Sequence, residues 1–561
     1  MQTKWKRLVQ TGVVAGCLAF AVSSAVADGK WNKKWEKHYD FQKSKNVIVM
    51  IPDGCDETVQ TLARWYKGED LQVDKMQPGT VKVHMADSVI PDSAAAATAF
   101  ATGHKASNGF VGVGPRTDTL LDGLEPTAAP YAPVASVLEA AKMAGKAVGI
   151  VATSRVTHAT PAGFTAHNGS RGRTNELMED IVYNKLDVVF GGGARHLIPV
   201  GEAYTTSFGE TWGGKRTDGE NLMEVLEDRG YQFVDSKDQM ESVTSGKVWG
   251  LFDDSHMQPD IDRQYFHDNE PSLAEMVDKA IEILSQDPDG FLLMVEGSQV
   301  DWAGHNNDPI YMLTDFLAFD DAVKVAVDFA EDNGRTTVMA YPDHNTGGMK
   351  IGHYTAAVGY TNTKIGDLID PLKGMKMSAN GVVAMMEDNS DEALKASVLE
   401  NWGIELTQED LDEIHANLYH QGLSYTLARV ISENHTVIGW TTHGHTGETV
   451  PLWMSGKQAP DHVIDDTELA YIAADAIGVD LAKTTKELYV DLDSVKCSYE
   501  VVDADGLGNL VIKVAGAEFP VSKDYMIKNG RQIKLPGLTV YSVETGKAYV
   551  SKKALRYLAR R

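Results

Sequence analysis

The chain has 561 residues, 43% of them hydrophobic, and a formal net charge of −27. That length buries one large α/β core with an appendage, or two to three domains. The acid excess argues against a nucleic-acid partner and for solubility, and it says nothing about fold.

In chain order, Met1 to Ala27 is expected to be a secretory signal. Lys4, Lys6 and Arg7 precede an apolar stretch from Val13 to Val22, and Ala25-Val26-Ala27 forms an A-x-A cleavage site. A lipoprotein box at Cys17 is disfavoured, because the apolar stretch before it is too short and continues beyond it. No later segment reaches about 18 consecutive apolar residues, so no membrane span is expected. The mature chain is expected in the periplasm or secreted, cut after Ala27, with its charge at −30 once the three basic leader residues are gone. Only Cys55 and Cys497 remain, too few for a disulfide framework. Cys55 reads as a small buried hydrophobe.

Five continuous, β-branched runs end abruptly in polar residues. They begin at Asn46, Ala147, Asp187, Phe291 and Thr336, and each reads as a buried parallel strand. Helical patterns lie between them, as over Val134 to Ala144 and Ser272 to Ser285. The alternation predicts an α/β doubly wound, mostly parallel sheet with helices on both faces. Ligands of such sheets sit beyond the carboxyl ends of the strands. Residues 201–257, polar and Gly-rich, and 363–432, helical with a capped start at Thr407 to Asp410, read as insertions. From about 488 to 561 short alternating strands with turns at Asp505-Gly506 and Asn529-Gly530 predict a small β module. A Ca²⁺ loop at Asp503 is rejected, since Leu507 and Val514 stand where oxygen ligands are needed.

The chemistry concentrates at strand ends. Ser93 follows Asp92, a natural N-cap, at the start of a run of small residues with high helix propensity. Its hydroxyl would sit at the positive end of a helix, which favours an alkoxide or an incoming phosphate. Asp53 closes the first strand. Glu296, Asp301 and His305 follow another, Asp343 and His344 a third, and His443 and His445 lie in a later Thr-His-Gly-His run. Mixed Asp/His ligation suits Zn²⁺, whereas carboxylate, hydroxyl and water suit Mg²⁺. Both types together imply adjacent metals, an arrangement fit for in-line displacement.

The runs PDSAAAATAFATGHK, TSRVTHATPAGFTAH, DVVFGGG, GFLLMVEGSQVDWAGHNND, YPDHNTGG and THGHTGE resemble, in order, the motifs of alkaline phosphatases, over about Asn46 to Met454. The resemblance implies hydrolysis of phosphate monoesters through a phosphoserine at Ser93. One Zn²⁺ on Asp53, Asp343 and His344 would keep the Ser93 oxygen deprotonated. A second on Asp301, His305 and His445 would stabilise the leaving alkoxide and activate water. Mg²⁺ would use Asp53, Thr160 and Glu296, with His158 in contact through water. Arg171, chosen over Arg173 by its distance from His158 and Thr160, would grip the phosphate.

At His158 and Trp302 branches of the family differ, carrying Asp or Lys instead. Trp302 can neither ligate a metal nor bind phosphate through water, so it is expected to pack or stack at the pocket mouth and contact substrate. His443 and His167 are read as supporting residues. Related phosphodiesterases, phosphonate hydrolases and sulfatases lack the combination of Thr160, Glu296 and Arg171. A non-catalytic scaffold would have lost a ligand or the nucleophile, and neither is lost. The implied organisation is a signal peptide (1–27), a catalytic domain (28–487) and a small β module (488–561). A homodimer is left open. The reading requires Asp343 and His445 to lie within about 10 Å of each other, the reach of neighbouring metals.

Overall fold

The computed structural model describes residues 44–353, 358–418, 422–456 and 459–558, so the expected signal peptide lies outside the described residues. A ten-stranded sheet organises the chain. Its central strand, Asn46–Pro52, is flanked in parallel by Phe291–Gly297 on one side and Thr336–Ala340 on the other. Beyond Phe291–Gly297 the parallel run continues through Ala147–Arg155 and Val188–Gly192. Beyond Thr336–Ala340, Val450–Ser455 and Gln77–Lys82 pair antiparallel, and Ile464–Asp465 closes that edge. All five expected strands are present.

Period-two alternation explains why the central strand is apolar throughout. Val47, Val49 and Ile51 enter one hydrophobic core, while Ile48 and Met50 enter the other, across the sheet. Helices cover both faces, as a doubly wound sheet requires. The expected helix at Ser272 to Ser285 is Leu273–Leu284, begun by a Ser272–Glu275 capping box. The one expected from Val134 starts later, at Val137, because the Ser136 side chain takes the N-cap and Glu139 completes the box.

Two segments refine the organisation. Residues 363–432 form helices from Ile365–Lys373 to Leu423–His435, with the Thr407–Asp410 capping box in place. Residues 201–257 are more than an insertion. Val248–Leu251 and Gln232–Val234 add two parallel strands to the sheet edge beyond Val188–Gly192. They are short and flanked by polar residues, so their burial pattern is a product of the tertiary fold.

Past the helix Leu481–Leu488, a five-stranded antiparallel meander and a three-stranded sheet enclose their own small core. Asn529 and Gly530 both adopt positive φ between Tyr525–Lys528 and Arg531–Lys534, the hairpin turn their sequence predicts. Among the described residues, no helix is long and apolar enough to cross a membrane.

Candidate active site

The residues singled out by sequence converge at the carboxyl ends of the parallel strands. Asp53 follows the central strand, and Gly54 turns the chain away with φ 72°. A Cβ at Gly54 would lie 2.7 Å from the Asp301 Cα, so only glycine allows this approach. Ser93 opens the helix Ser93–Thr102, whose N-cap, Asp92, accepts from the Ala95 amide at 3.0 Å. Glu296 ends the strand Phe291–Gly297. Asp301 and His305, four residues apart on the helix Gln299–Asn306, share one helical face. His445 is brought in by a two-residue ladder in which Thr346 pairs with it across antiparallel strands.

The resulting distances are short. Ser93 Oγ lies 3.1 Å from His344 Nε2. That nitrogen is 3.1 Å from Asp343 Oδ2 and 3.7 Å from Asp53 Oδ1. The His344 and His445 rings stack with centroids 3.7 Å apart. Asp343 and His445 thus both contact one imidazole, well inside the required reach.

Three groups have ligand-type atoms within 4.8 Å of one another: Asp53 with Asp343 and His344, Asp301 with His344 and His445, and Asp53 with His158 and Glu296. The first matches the expected trio. The second holds His344 where His305 was expected, although His305 Nε2 remains 3.4 Å from Asp301 Oδ2. In the third, His158 itself stands with Asp53 and Glu296, while Thr160 donates its hydroxyl to Asp53 Oδ2 at 3.4 Å. Arg171 spans Asp92 Oδ2 and His158 Nε2, each at 3.2 Å. The half-buried Trp302 meets His256 and His158 edge-on, at centroid distances of 4.3 and 5.5 Å. His443 turns its Nδ1 to the His305 carbonyl, and His167 binds Glu139 and Gly112, so neither joins these groups.

Four carboxylates are thereby buried together, and their protonation is displaced accordingly. Burial raises Asp53 well above the usual range, and Asp343, Asp301 and Glu296 add to the effect. Burial also pushes Glu296 up to about 7. For Asp301 burial acts upward, but His305, His344 and His445 outweigh it and hold the carboxyl low. For His305 burial acts downward, and Asp301 overrides it to bring the imidazole to about 9. Burial and the neighbouring His344 lower His445 to about 4.

Asp53 Oδ1, Asp343 Oδ2 and Glu296 Oε1 are buried without any hydrogen bond. Uncompensated buried charge is costly, so such acids stay protonated unless a cation neutralises them. The oxygen and imidazole donors present fit Zn²⁺ and Mg²⁺.

Three further residues enter the site. Asp92 orients Arg171, Ser154 donates to Glu296 Oε2 at 3.1 Å, and His256 backs Trp302. From sequence alone Asp92 reads only as a cap. The other two carry no local signal, because tertiary folding alone brings them near.

The alkaline phosphatase family model matches residues 44–479. The chain belongs to the alkaline phosphatase family. It is 33% identical over 489 residues to alkaline phosphatase 3 of Bacillus subtilis, covering 83% of this chain and 96% of that protein. It is 31% identical to the repressible alkaline phosphatase of Saccharomyces cerevisiae, over 73% of this chain and 76% of the relative. The crystal structure of a Thermus thermophilus alkaline phosphatase superposes with a TM-score of 0.67 at 25% identity, covering 78% of this chain and 92% of that one. A cold-active alkaline phosphatase from the psychrophile Shewanella sp. gives 0.63 at 28% identity, covering 77% and 99%. The chain is an enzyme of this family, with the family's fold around the strand-end cluster.

Proposed function

We propose that this alkaline phosphatase hydrolyses phosphate monoesters to an alcohol and inorganic phosphate, through a phosphoserine at Ser93, at a centre of two zinc ions and one magnesium. The supporting observation is the Ser93 hydroxyl, at a helix N-terminus, 3.1 Å from His344 Nε2 and beside buried acids that each keep one oxygen without a hydrogen bond. Asp53, Asp343 and His344 would hold one zinc, and Asp301, His305 and His445 the other. Asp53, Thr160 and Glu296 would hold the magnesium, with His158 beside them. When bound, these cations supply Lewis-acid stabilisation of the charge that moves between the attacking and leaving oxygens.

The chain's own groups do the rest. Ser93 Oγ attacks phosphorus while the bond to the ester oxygen breaks, and water then cleaves the Ser93 phosphoester to release phosphate. The positive end of the Ser93–Thr102 helix favours the developing negative charge. Arg171, with its side chain about a third exposed and fixed by Asp92, presents a planar fork to two non-bridging oxygens. Trp302, held edge-on by His256 and His158, offers an apolar surface to the leaving group.

Export to the periplasm or beyond is proposed from the basic, apolar and A-x-A segments of residues 1–27. The proposed domains are those read from sequence, with residues 201–257 contributing to the catalytic sheet.

Acid quenching during turnover of a labelled phosphate ester is expected to trap phosphoserine in the native enzyme. Ser93→Ala should remove the label and keep its metals, and native-like labelling of that variant would refute the assignment. Faster turnover of p-nitrophenyl phosphate than of its bis-ester or sulfate is expected, and the reverse order would point to a diesterase or sulfatase.

A further inference from the structure

A cavity of about 500 Å³ lies at the seam between the sheet edge and the C-terminal module, lined by residues that phosphoester chemistry does not use. The helix Leu222–Asp228 and its C-cap Arg229 form one wall. Tyr525, Gln532 and Lys534, from the hairpin strands Tyr525–Lys528 and Arg531–Lys534, form the opposite one. This is the size range of small-ligand sites.

The lining departs from the character of the chain. Against an overall charge of −27, the cavity gathers Lys185, Arg229, Lys247 and Lys534 around two acids, Asp228 and Asp524. Asp524 is buried and already engaged by Lys185 and by Arg229 Nη2, the latter at 2.8 Å. The other terminal nitrogen, Arg229 Nη1, is buried and makes no hydrogen bond. The local field is positive enough that Lys185 and Lys247, adding to burial, help bring the neighbouring Lys142 down to about 7.

The remaining lining is aromatic. Tyr183 and Tyr231 spend their hydroxyls on Glu220 Oε1 and the Leu186 carbonyl, at 2.6 and 2.8 Å, so the cavity meets their rings. Arg229 Cζ stands 4.3 Å from the Tyr183 ring centroid and Lys247 Nζ stands 5.5 Å from that of Tyr231. With Lys523 Nζ also 4.1 Å from the Tyr183 ring centroid, the cations already rest on these two rings, and Tyr525 is the lining ring left for a flat partner.

We propose that this cavity binds a nucleoside phosphate apart from the Ser93 site, with phosphate oxygens among Lys185, Lys247 and Lys534 and the base against the Tyr525 ring. The probe is the methylene-bridged analogue of ADP, titrated calorimetrically into the metal-loaded enzyme. Two binding events are expected. Arg171→Ala should weaken one, and Lys247→Glu with Lys534→Glu should weaken the other at least tenfold, while p-nitrophenyl phosphate turnover stays at the native rate. Tyr525→Ala should weaken the same second event. A single event lost in Arg171→Ala, or a second event unaffected by the lysine changes, would overturn the proposal. Inorganic phosphate filling the second site as tightly as the analogue would also refute the nucleoside assignment.

Discussion

Two clusters of acids among the described residues are resolved in opposite ways. Behind the C-terminal module, ligand-type atoms of Glu179, Asp218 and Glu220 lie within 4.8 Å of one another, as close as those beside Ser93. There the protein supplies its own cations. The fully buried Arg216 pairs with Asp218, approaches Glu179 and Glu220 at 3.7 and 3.9 Å, and donates to the carbonyls of Asn175 and His196. Lys523 pairs with both glutamates. Beside Ser93 no lysine or arginine plays this part. The carboxylates of Asp53, Asp343 and Glu296 each keep an oxygen without a hydrogen bond, while Arg171 is turned to Asp92 and His158. Acid density alone therefore does not mark a metal centre. What separates the two clusters is the internal lysine and arginine that one has and the other lacks.

The largest effect that separates the two clusters is expected on stripping divalent metals with a chelator. Asp53 and Glu296 then keep protons in the folded state that the unfolded chain has already lost. A folded pKa raised in this way makes stability fall as pH rises, from the unfolded carboxyl value near about 4.3 upward. For Glu296 the loss is complete near its folded value of about 7. Melting temperatures of stripped enzyme should thus decline across this window, and those of metal-loaded enzyme should not. A flat profile for the stripped enzyme would break the contrast.

Removing the internal cation tests the other cluster. Lys523→Met leaves Glu179 and Glu220 short of their ammonium partner, at a cost of about 3–5 kcal/mol in urea unfolding. Activity per folded molecule should not change. Asp301→Ala should do the reverse, lowering kcat/KM by about 10²–10³-fold with a smaller loss of stability. The smallest effect is expected from Arg171→Ala, which removes a charge-assisted contact of about 1–3 kcal/mol. It should appear as a raised KM and weaker inhibition by phosphate, and unchanged inhibition would assign the phosphate to another cation.

Much of this arrangement is legible in the residue order because strong local signals coincide with the tertiary answer. The run NVIVMIP can only be a strand buried on both faces, and Asp92 before an alanine-rich run can only cap a helix. Acids and histidines placed where such strands stop are bound to converge, because parallel strands share an end. What escapes is non-local. Gln232–Val234 and Val248–Leu251 are too short to announce themselves as sheet strands. His158 standing with Asp53 and Glu296, and His256 behind Trp302, follow from side-chain packing between distant segments. Likewise Arg216 and Lys523, some three hundred residues apart, reveal their common purpose only when folded.

The central claim is that the acids around Ser93, which no lysine or arginine neutralises, are answered by bound metal. Elemental analysis of the purified enzyme, taken through chelation and stepwise return of zinc and magnesium with phosphatase activity followed in parallel, tests it most directly. Two zinc ions and one magnesium per chain are expected, lost and regained together with activity. Full activity in enzyme freed of divalent metal would contradict it.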